Sequence, residues 1–276
     1  MKLEMERITK VNYKNLTYET LLKADPNILE VIKNGVVFYF KLKLKSNSDK
    51  MVLFSNGAYD PTKSTPPIFS RSSWHKDYEA NCIFIDDVTI HNTECTLGWG
   101  IGTPKHYYLK EVSDIIIRII EILKIKSTDT VYYGSSAGGF MSIMLSIFHK
   151  NTTAIVNNPQ VYAHKFGKGA HITKLYKTRF PGMSEEEIHE KYGERFSVTK
   201  MMQQFNYVPK VIYIQNRMSL QDMEKQYQPF IENLDNLGFD SFSIKFLLYS
   251  SNKGHEGIYS REKTANLINA YLNNIL

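Results

Sequence analysis

The sequence has few cysteines and no long apolar run. Cys82 and Cys95 are the two cysteines among 276 residues, and no C-x-x-C pair is present, so neither a disulfide framework nor a zinc motif is expected. The most apolar helical stretch, 115–123, contains Arg118 and Glu121 and is too short to span a bilayer. The first residues lack the apolar segment of a signal peptide. These absences predict a cytoplasmic protein with no transmembrane segment.

Positive charge is in mild excess. Lysine and arginine number 34 against 28 acidic residues, a net charge of +6, which favours anionic sugars, nucleotides or the inner face of a membrane as partners. The basic residues are dispersed and match no nucleic-acid motif, so no nucleic-acid partner is expected. The Asp86-Asp87 pair has no histidine or third carboxylate at ligand spacing, so no metal site is predicted.

Apolar strand patterns alternate with helical ones, which predicts an α/β fold with a mostly parallel sheet flanked by helices. At 276 residues and 42% hydrophobic content, a single domain (1–276) with a sizeable core is expected. Two regions are predicted to be helical: an N-terminal extension over 1–35 and a cap insertion over 161–207. Strands are predicted at 36–45, 51–54 (the returning strand after a turn at 46–49), 81–85, 131–133, 153–156, 211–216 and 241–249.

A serine lies where the strand pattern of 131–133 changes to a helical one. Gly134-Ser135-Ser136-Ala137-Gly138 matches G-x-S-x-G, the nucleophile elbow of the α/β-hydrolases, in which a strained turn lifts a serine hydroxyl above the sheet. A side chain at either glycine would collide with a neighbouring strand or helix. The motif predicts an α/β-hydrolase-like fold with Ser136 as nucleophile.

A serine nucleophile needs a base, and in this fold the histidine follows the last strand. Of eight histidines, His255 alone follows the last predicted strand, so it is the predicted base. The acid should follow the strand at 211–216, where Asp222 is the first carboxylate and Glu224 the second. Asp222 also fits a helix cap. The identity of the acid therefore stays open: it is Asp222, or Glu224, or the site has no acid.

The oxyanion of an acyl-transfer reaction needs two backbone N–H donors. Ala137, which follows the nucleophile, is the first predicted donor, and Gly57 or Ala58 after the strand at 51–54 is the second. Trp74 lies among basic residues and either stacks on a sugar or closes over the core.

Four segments together resemble the XcbB/CpsF-type capsular polysaccharide biosynthesis proteins, the hydrolase-fold O-acetyltransferases of bacterial capsules and the related component of accessory Sec systems. They are 134–140, Asn158-Pro159-Gln160, the stretch 213–216 that ends in Asn216, and Gly254-His255. The resemblance implies transfer of an acetyl group from acetyl-CoA, the acyl donor, to a sugar hydroxyl, with no tightly bound cofactor. It further implies that Asn158, Gln160 and Asn216 contact substrate.

The sequence therefore predicts a serine acyltransferase or esterase acting on a capsule or other surface carbohydrate through an acyl-enzyme on Ser136. Transfer and hydrolysis share every step up to that intermediate and are not distinguished. The alternative is a catalytically impaired relative that binds glycan, a glycosyltransferase or a secretion partner. The family-like acid falls near Met218 or Ser219, where this chain has none. This absence favours the alternative, whereas the intact Ser136 and His255 oppose it.

Overall fold

A nine-stranded sheet organises the protein in a computed structural model that describes residues 7–167, 169–238 and 241–275. The strand order is β1-β2-β3-β5-β4-β6-β7-β8-β9. Within the described residues, β3 alone runs opposite to the other strands. The strands are β1 Ile8–Asn12, β2 Ile28–Lys33, β3 Val36–Lys43, β4 Met51–Ser55, β5 Asn81–Ile85, β6 Thr130–Ser136, β7 Thr153–Pro159, β8 Lys210–Asn216 and β9 Ile244–Tyr249.

Both faces of the central strands are buried, which explains their continuous apolar runs. In β4, Leu53 faces one hydrophobic core, whereas its neighbours Val52 and Phe54 face a second core on the other side of the sheet. The same alternation separates Tyr132 from Tyr133 in β6. A parallel sheet of this kind places the carboxyl ends of β4, β6, β7, β8 and β9 at one edge.

Helices cover both faces of the sheet. The larger core includes side chains of α2, α3, α6 and α8, and the smaller one includes those of α9. Among the described residues, no helix combines the length and apolarity needed to cross a membrane. The helices are α1 Tyr18–Ala24, α2 Tyr108–Ile122, α3 Ala137–Phe148, α4 Ala170–Arg179, α5 Glu185–Tyr192, α6 Val198–Phe205, α7 Leu220–Asp222, α8 Gln228–Asn236 and α9 Arg261–Leu272. A π-helical turn, Met223–Tyr227, joins α7 to α8.

The mostly parallel sheet flanked by helices confirms the predicted fold class, but the N-terminal prediction was wrong. The region 1–35 contains β1 and β2 beside the short helix α1, and both strands belong to the sheet. A short apolar run such as that of β2 fits a helix or a strand equally well until its partner is known. The predicted pairing of β3 with β4 was also wrong, because β5 lies between them.

The segment 161–207 follows β7 and contains α4, α5 and α6. At the start of α5, the Ser184 hydroxyl accepts a hydrogen bond from the Glu187 N–H while the Glu187 carboxylate accepts one from the Ser184 N–H. This capping box satisfies two N–H groups that a helix start leaves unpaired. The segment returns to the sheet at β8.

Candidate active site

Ser136 is held in a strained turn between β6 and α3. Its backbone has φ 55° and ψ −127°, a conformation that costs energy for a residue with a side chain and persists only under tight packing. The packing comes from glycines. A Cβ on Gly138 would lie 2.6 Å from the carbonyl oxygen of Ser55 in β4, and one on Gly134 would overlap the Gly138 carbonyl. The motif therefore fits the turn geometry of a nucleophile elbow.

Ser136, His255 and Asp222 form a continuous hydrogen-bonded chain. His255 Nε2 lies 2.9 Å from Ser136 Oγ, and His255 Nδ1 lies 2.7 Å from Asp222 Oδ2. A carboxylate only accepts hydrogen bonds, so Nδ1 carries the proton and Nε2 accepts from the serine hydroxyl. This is the arrangement that activates a serine nucleophile.

Asp222 is the carboxylate that reaches the histidine, and Glu224 is not. The Asp222 side chain is 4% exposed and accepts a second hydrogen bond from the Ser219 hydroxyl at 2.7 Å. Glu224 is exposed and pairs with Lys225 at 2.9 Å. Asp222 ends the short α7, directly before the π-helical turn, a feature often found at functional sites.

The pKa of His255 is raised above its ordinary value of 6.5. Burial acts to lower this pKa, because it disfavours the charged ring. The hydrogen bond to Asp222 and the charge of that carboxylate together outweigh burial, with a smaller contribution from Glu256. The imidazolium formed when His255 takes a proton is therefore stabilised where it arises.

The loop that carries His255 is fastened to the ends of β7 and β8 by two asparagines. Asn158 donates to the His255 carbonyl at 2.9 Å. Asn216 donates to the carbonyls of Ser251 and Gly254, both at 2.8 Å. Both asparagine side chains are fully buried. The predicted substrate contacts of Asn158 and Asn216 are therefore corrected, since these side chains hold the histidine loop in place.

Gln160 contacts the nucleophile. Its side-chain Nε2 donates to Ser136 Oγ at 2.9 Å, and its backbone N–H donates to the Ser136 carbonyl at 3.1 Å. The indole N–H of Trp99 donates to Gln160 Oε1, which fixes the orientation of the amide. Gln160 is fully buried, so its predicted substrate contact is corrected to a contact with Ser136. The partnership with Trp99 is not visible from sequence spacing.

A cavity of about 360 Å³ opens beside Ser136. Gly57 and Ala58, two of the predicted oxyanion donors, line it, and Ala137 begins α3 immediately after the serine. Trp74 also lines the cavity and is partly exposed. Arg71, which the sequence analysis did not single out, lines it too. The cavity gives a substrate access to Ser136 and to Gly57 and Ala58.

The segment 161–207 contacts the site at its start. Phe166 lies against His255 with 5.5 Å between the ring centroids. The preceding backbone is anchored because the buried Gln226 side chain, in the π-helical turn, accepts hydrogen bonds from the N–H groups of Val161 and Tyr162 at 2.8 and 2.9 Å. An apolar ring from this segment thus borders the proton-accepting histidine.

The carboxylates at the end of β5 have structural partners. Asp86 accepts from the Ile68 N–H at 2.7 Å and also binds His91. Asp87 accepts from the N–H groups of Thr89 and Gly100. In the part of the chain that the structure describes, no group of three or more His, Cys, Asp or Glu side chains is placed to hold a metal ion.

Comparison with known proteins shows the fold. No protein-family model matches the sequence, and no curated protein matches it. Among solved structures, the capsule O-acetyltransferase of Neisseria meningitidis serogroup A is 15% identical with a TM-score of 0.62, over 90% of this chain and 94% of that one. A mutant of that enzyme in complex with CoA has the same identity and TM-score, over 87% and 94% of the chains.

A third structure, the substrate-bound fluorophosphonate-binding serine hydrolase F of Staphylococcus aureus, is 12% identical with a TM-score of 0.57, over 89% of this chain and 97% of that one. These likenesses agree with the mixed sheet and its flanking helices, and the chain has the predicted α/β-hydrolase-like fold. The resemblance to XcbB/CpsF-type and accessory Sec proteins stays a prediction.

Proposed function

We propose that the protein is a serine-dependent acyltransferase or esterase that works through an acyl-enzyme on Ser136. The observation that supports this most strongly is the hydrogen-bonded chain from Asp222 through His255 to Ser136 beside an open cavity. The alternative of a catalytically impaired relative rested on the missing acid near Met218, and Asp222 supplies a carboxylate at hydrogen-bonding distance.

In the first step, Ser136 Oγ attacks the carbonyl carbon of an ester or thioester while its proton moves to His255 Nε2. The negative charge on the former carbonyl oxygen is held by the N–H of Ala137 and that of Gly57 or Ala58. The C–O or C–S bond then breaks, and the departing alcohol or thiol takes the proton from His255. Asp222 keeps the imidazole in the required tautomer through its hydrogen bond with Nδ1.

Gln160 acts in this step through its hydrogen bond to Ser136 Oγ. An amide donor aimed at this oxygen orients the hydroxyl toward His255 and stabilises the charge that builds on Oγ as the proton leaves. The buried Trp99 N–H holds the amide with its NH₂ group toward the serine. Gln160 therefore belongs with the catalytic residues.

In the second step, an acceptor hydroxyl attacks the acyl carbon while His255 takes its proton. The bond from the acyl carbon to Ser136 Oγ then breaks, and His255 returns the proton to Oγ. We infer that the acceptor is a carbohydrate of a bacterial capsule or other surface polysaccharide and that acetyl-CoA is the donor. Support comes from the fold likeness to a capsule O-acetyltransferase, a mutant of which was solved with CoA. Water in place of the sugar would give esterase activity with the same residues.

The test is covalent labelling followed by mass mapping. The protein is incubated with a fluorophosphonate, or with acetyl-labelled acetyl-CoA, and digested. We expect label on Ser136 that is lost in Ser136→Ala and strongly reduced in His255→Ala. The matched control is Ser64→Ala, which removes an exposed serine hydroxyl outside the cavity and should leave labelling intact. Absence of label from both reagents on a folded wild-type protein would overturn the proposal.

A further inference from the structure

We infer that Arg71 binds an anionic group, a phosphate or a carboxylate, on the substrate whose acyl group reacts at Ser136. The inference rests on the proposed function and names the charge of the substrate. Its basis is a guanidinium that lines the same cavity as Ser136 and His255 and that the mechanism above does not use.

The backbone that carries Arg71 is fixed by buried polar groups. Asn56, which follows β4 and is 3% exposed, accepts from the Ser70 N–H at 2.9 Å and donates to the Ile68 carbonyl. Asp86, also buried, accepts from the Ile68 N–H. Arg71 itself has φ 63°, an unusual conformation for a residue with a side chain. The arginine is therefore presented from a preorganised support.

The guanidinium is positioned by neutral groups. One of its nitrogens donates to the Ser135 hydroxyl at 2.6 Å. Its central carbon lies 5.3 Å from the centroid of the Trp74 ring and 5.5 Å from the centroid of the Tyr133 ring. Aromatic contacts of this kind orient a guanidinium and leave its charge intact. Arg71, Ser135 and Ser136 line the same cavity, so this hydrogen bond holds the cation in the cavity that contains the nucleophile.

The charge of Arg71 has no counter-ion in the described part of the chain. None of the ion pairs there includes Arg71, and the bond to Ser135 uses one of five N–H donors. Glu256 lines the same cavity but is exposed and does not pair with it. An arginine fork matches phosphate and carboxylate groups in two-point contacts, and this one remains available to a ligand.

The anion has two sources in an acyl transfer: the donor, such as the phosphates of acetyl-CoA, and a charged acceptor sugar. Matched probes separate them. For the donor, acetyl-CoA is compared with the uncharged thioester S-acetyl-N-acetylcysteamine by thiol release. For the acceptor, transfer to methyl glucuronide is compared with transfer to methyl glucoside. Neutral 4-nitrophenyl acetate reports the basal acylation of Ser136.

The variants are Arg71→Gln, which removes the charge, and Arg71→Lys, which keeps the charge but cannot make the bidentate contact of a guanidinium. The control is Lys76→Gln, which removes an exposed cation of the same segment outside the cavity. We expect Arg71→Gln to raise KM about 10-fold or more for one of the two anionic probes, acetyl-CoA or methyl glucuronide. The KM values for the neutral probes should change about 2-fold or less. Arg71→Lys should be intermediate, and Lys76→Gln should resemble wild type.

If Arg71→Gln raises KM for acetyl-CoA alone, the bound anion belongs to the donor. If the substitution raises KM for the glucuronide alone, the anion belongs to the acceptor. The inference is overturned if Arg71→Gln raises KM equally for charged and neutral probes, or raises it for neither. A test on the wild type does not depend on the stability of any variant. Inorganic phosphate should slow labelling of Ser136 by a neutral fluorophosphonate, whereas sodium chloride of equal ionic strength should not. A wild type that never labels contradicts the proposed function instead.

Discussion

His255 must be neutral to accept the proton of Ser136, so its pKa sets the pH below which acylation fails. Burial acts to lower this pKa, but the hydrogen bond and the charge of Asp222 raise it above 6.5 in total. The acid limb of kcat/KM should therefore lie above pH 6.5. The same contact that raises the pKa also orients the ring, so both effects depend on one carboxylate oxygen.

Replacing Asp222 by Asn tests this contact. We expect kcat to fall by roughly 10³- to 10⁴-fold, because the amide favours the wrong tautomer of the imidazole. The remaining activity should have its acid limb at a lower pH than wild type, because the charge that raised the pKa of His255 is gone. The measurement is kcat/KM for 4-nitrophenyl acetate from about pH 5 to about pH 9.

Glu224→Gln is the control for this substitution. It removes a carboxylate two positions along the chain that is exposed and paired with Lys225. Its profile should match that of wild type. The cap interpretation of Asp222 is wrong, because no side chain caps the start of α7. If Asp222→Asn kept wild-type turnover, the contact with Asp222 would be dispensable and another group would orient His255.

At the scale of elements, the local sequence was sufficient to predict the structure of segments whose contacts lie within the segment itself. The tight turn of the elbow was predicted from a short pattern, and Gly134 and Gly138, which meet across that turn, are close in the chain. The strands β1 and β2 were missed for the opposite reason. The available signal was Asn34-Gly35, which joins β2 to β3 with φ values of 52° and 80°, the preference of a two-residue hairpin turn.

Gly138→Ala tests whether the elbow needs its glycines. An alanine in a helix is ordinarily favoured over glycine by about 1 kcal/mol. At Gly138, however, the new Cβ would lie 2.6 Å from the Ser55 carbonyl oxygen and 3.0 Å from that of Asn56, and neither backbone can move without distorting the sheet edge. We expect a net loss of about 1–3 kcal/mol in the free energy of unfolding, as for overpacked interiors, measured by urea titration.

Gly193→Ala is the matched control, because its Cβ would meet only the flexible end of Lys200, at 3.1 Å. That variant should be as stable as wild type. Equal stability of the two variants would show that α3 can shift away from β4, and that the glycine is dispensable for the turn.

At the scale of the whole molecule, the site is assembled from the carboxyl ends of neighbouring strands. Ser136 and His255 could be named from the sequence because a motif and the chain order identify them. The partners that fasten them could not, because Asn158, Gln160 and Asn216 act across strands that are far apart in sequence. The family resemblance implied substrate contacts for these three side chains, but all three are fully buried and bond to other parts of the protein.

The stability of the whole molecule should depend on pH through a histidine far from this chemistry. His149 is 5% exposed, and its ring nitrogens lie 3.0 Å from the hydroxyls of Ser127 and Tyr132. Burial lowers its pKa from 6.5 to about 4. Between pH 6.5 and pH 4, His149 binds a proton in the unfolded chain but stays neutral in the folded protein. The contribution of His149 to the free energy of unfolding is therefore complete above pH 6.5 and declines as the pH falls toward 4.

For His149 we expect a loss of about 2 kcal/mol in the free energy of unfolding between about pH 7 and about pH 5, measured by urea titration at each pH. His149→Gln should remove this part of the slope, even if the variant is less stable at both pH values, because glutamine does not titrate. His171→Gln, at an exposed histidine, is the control and should keep the wild-type slope. A slope unchanged by His149→Gln would mean that the folded protein accepts the proton at this site as readily as the unfolded chain does.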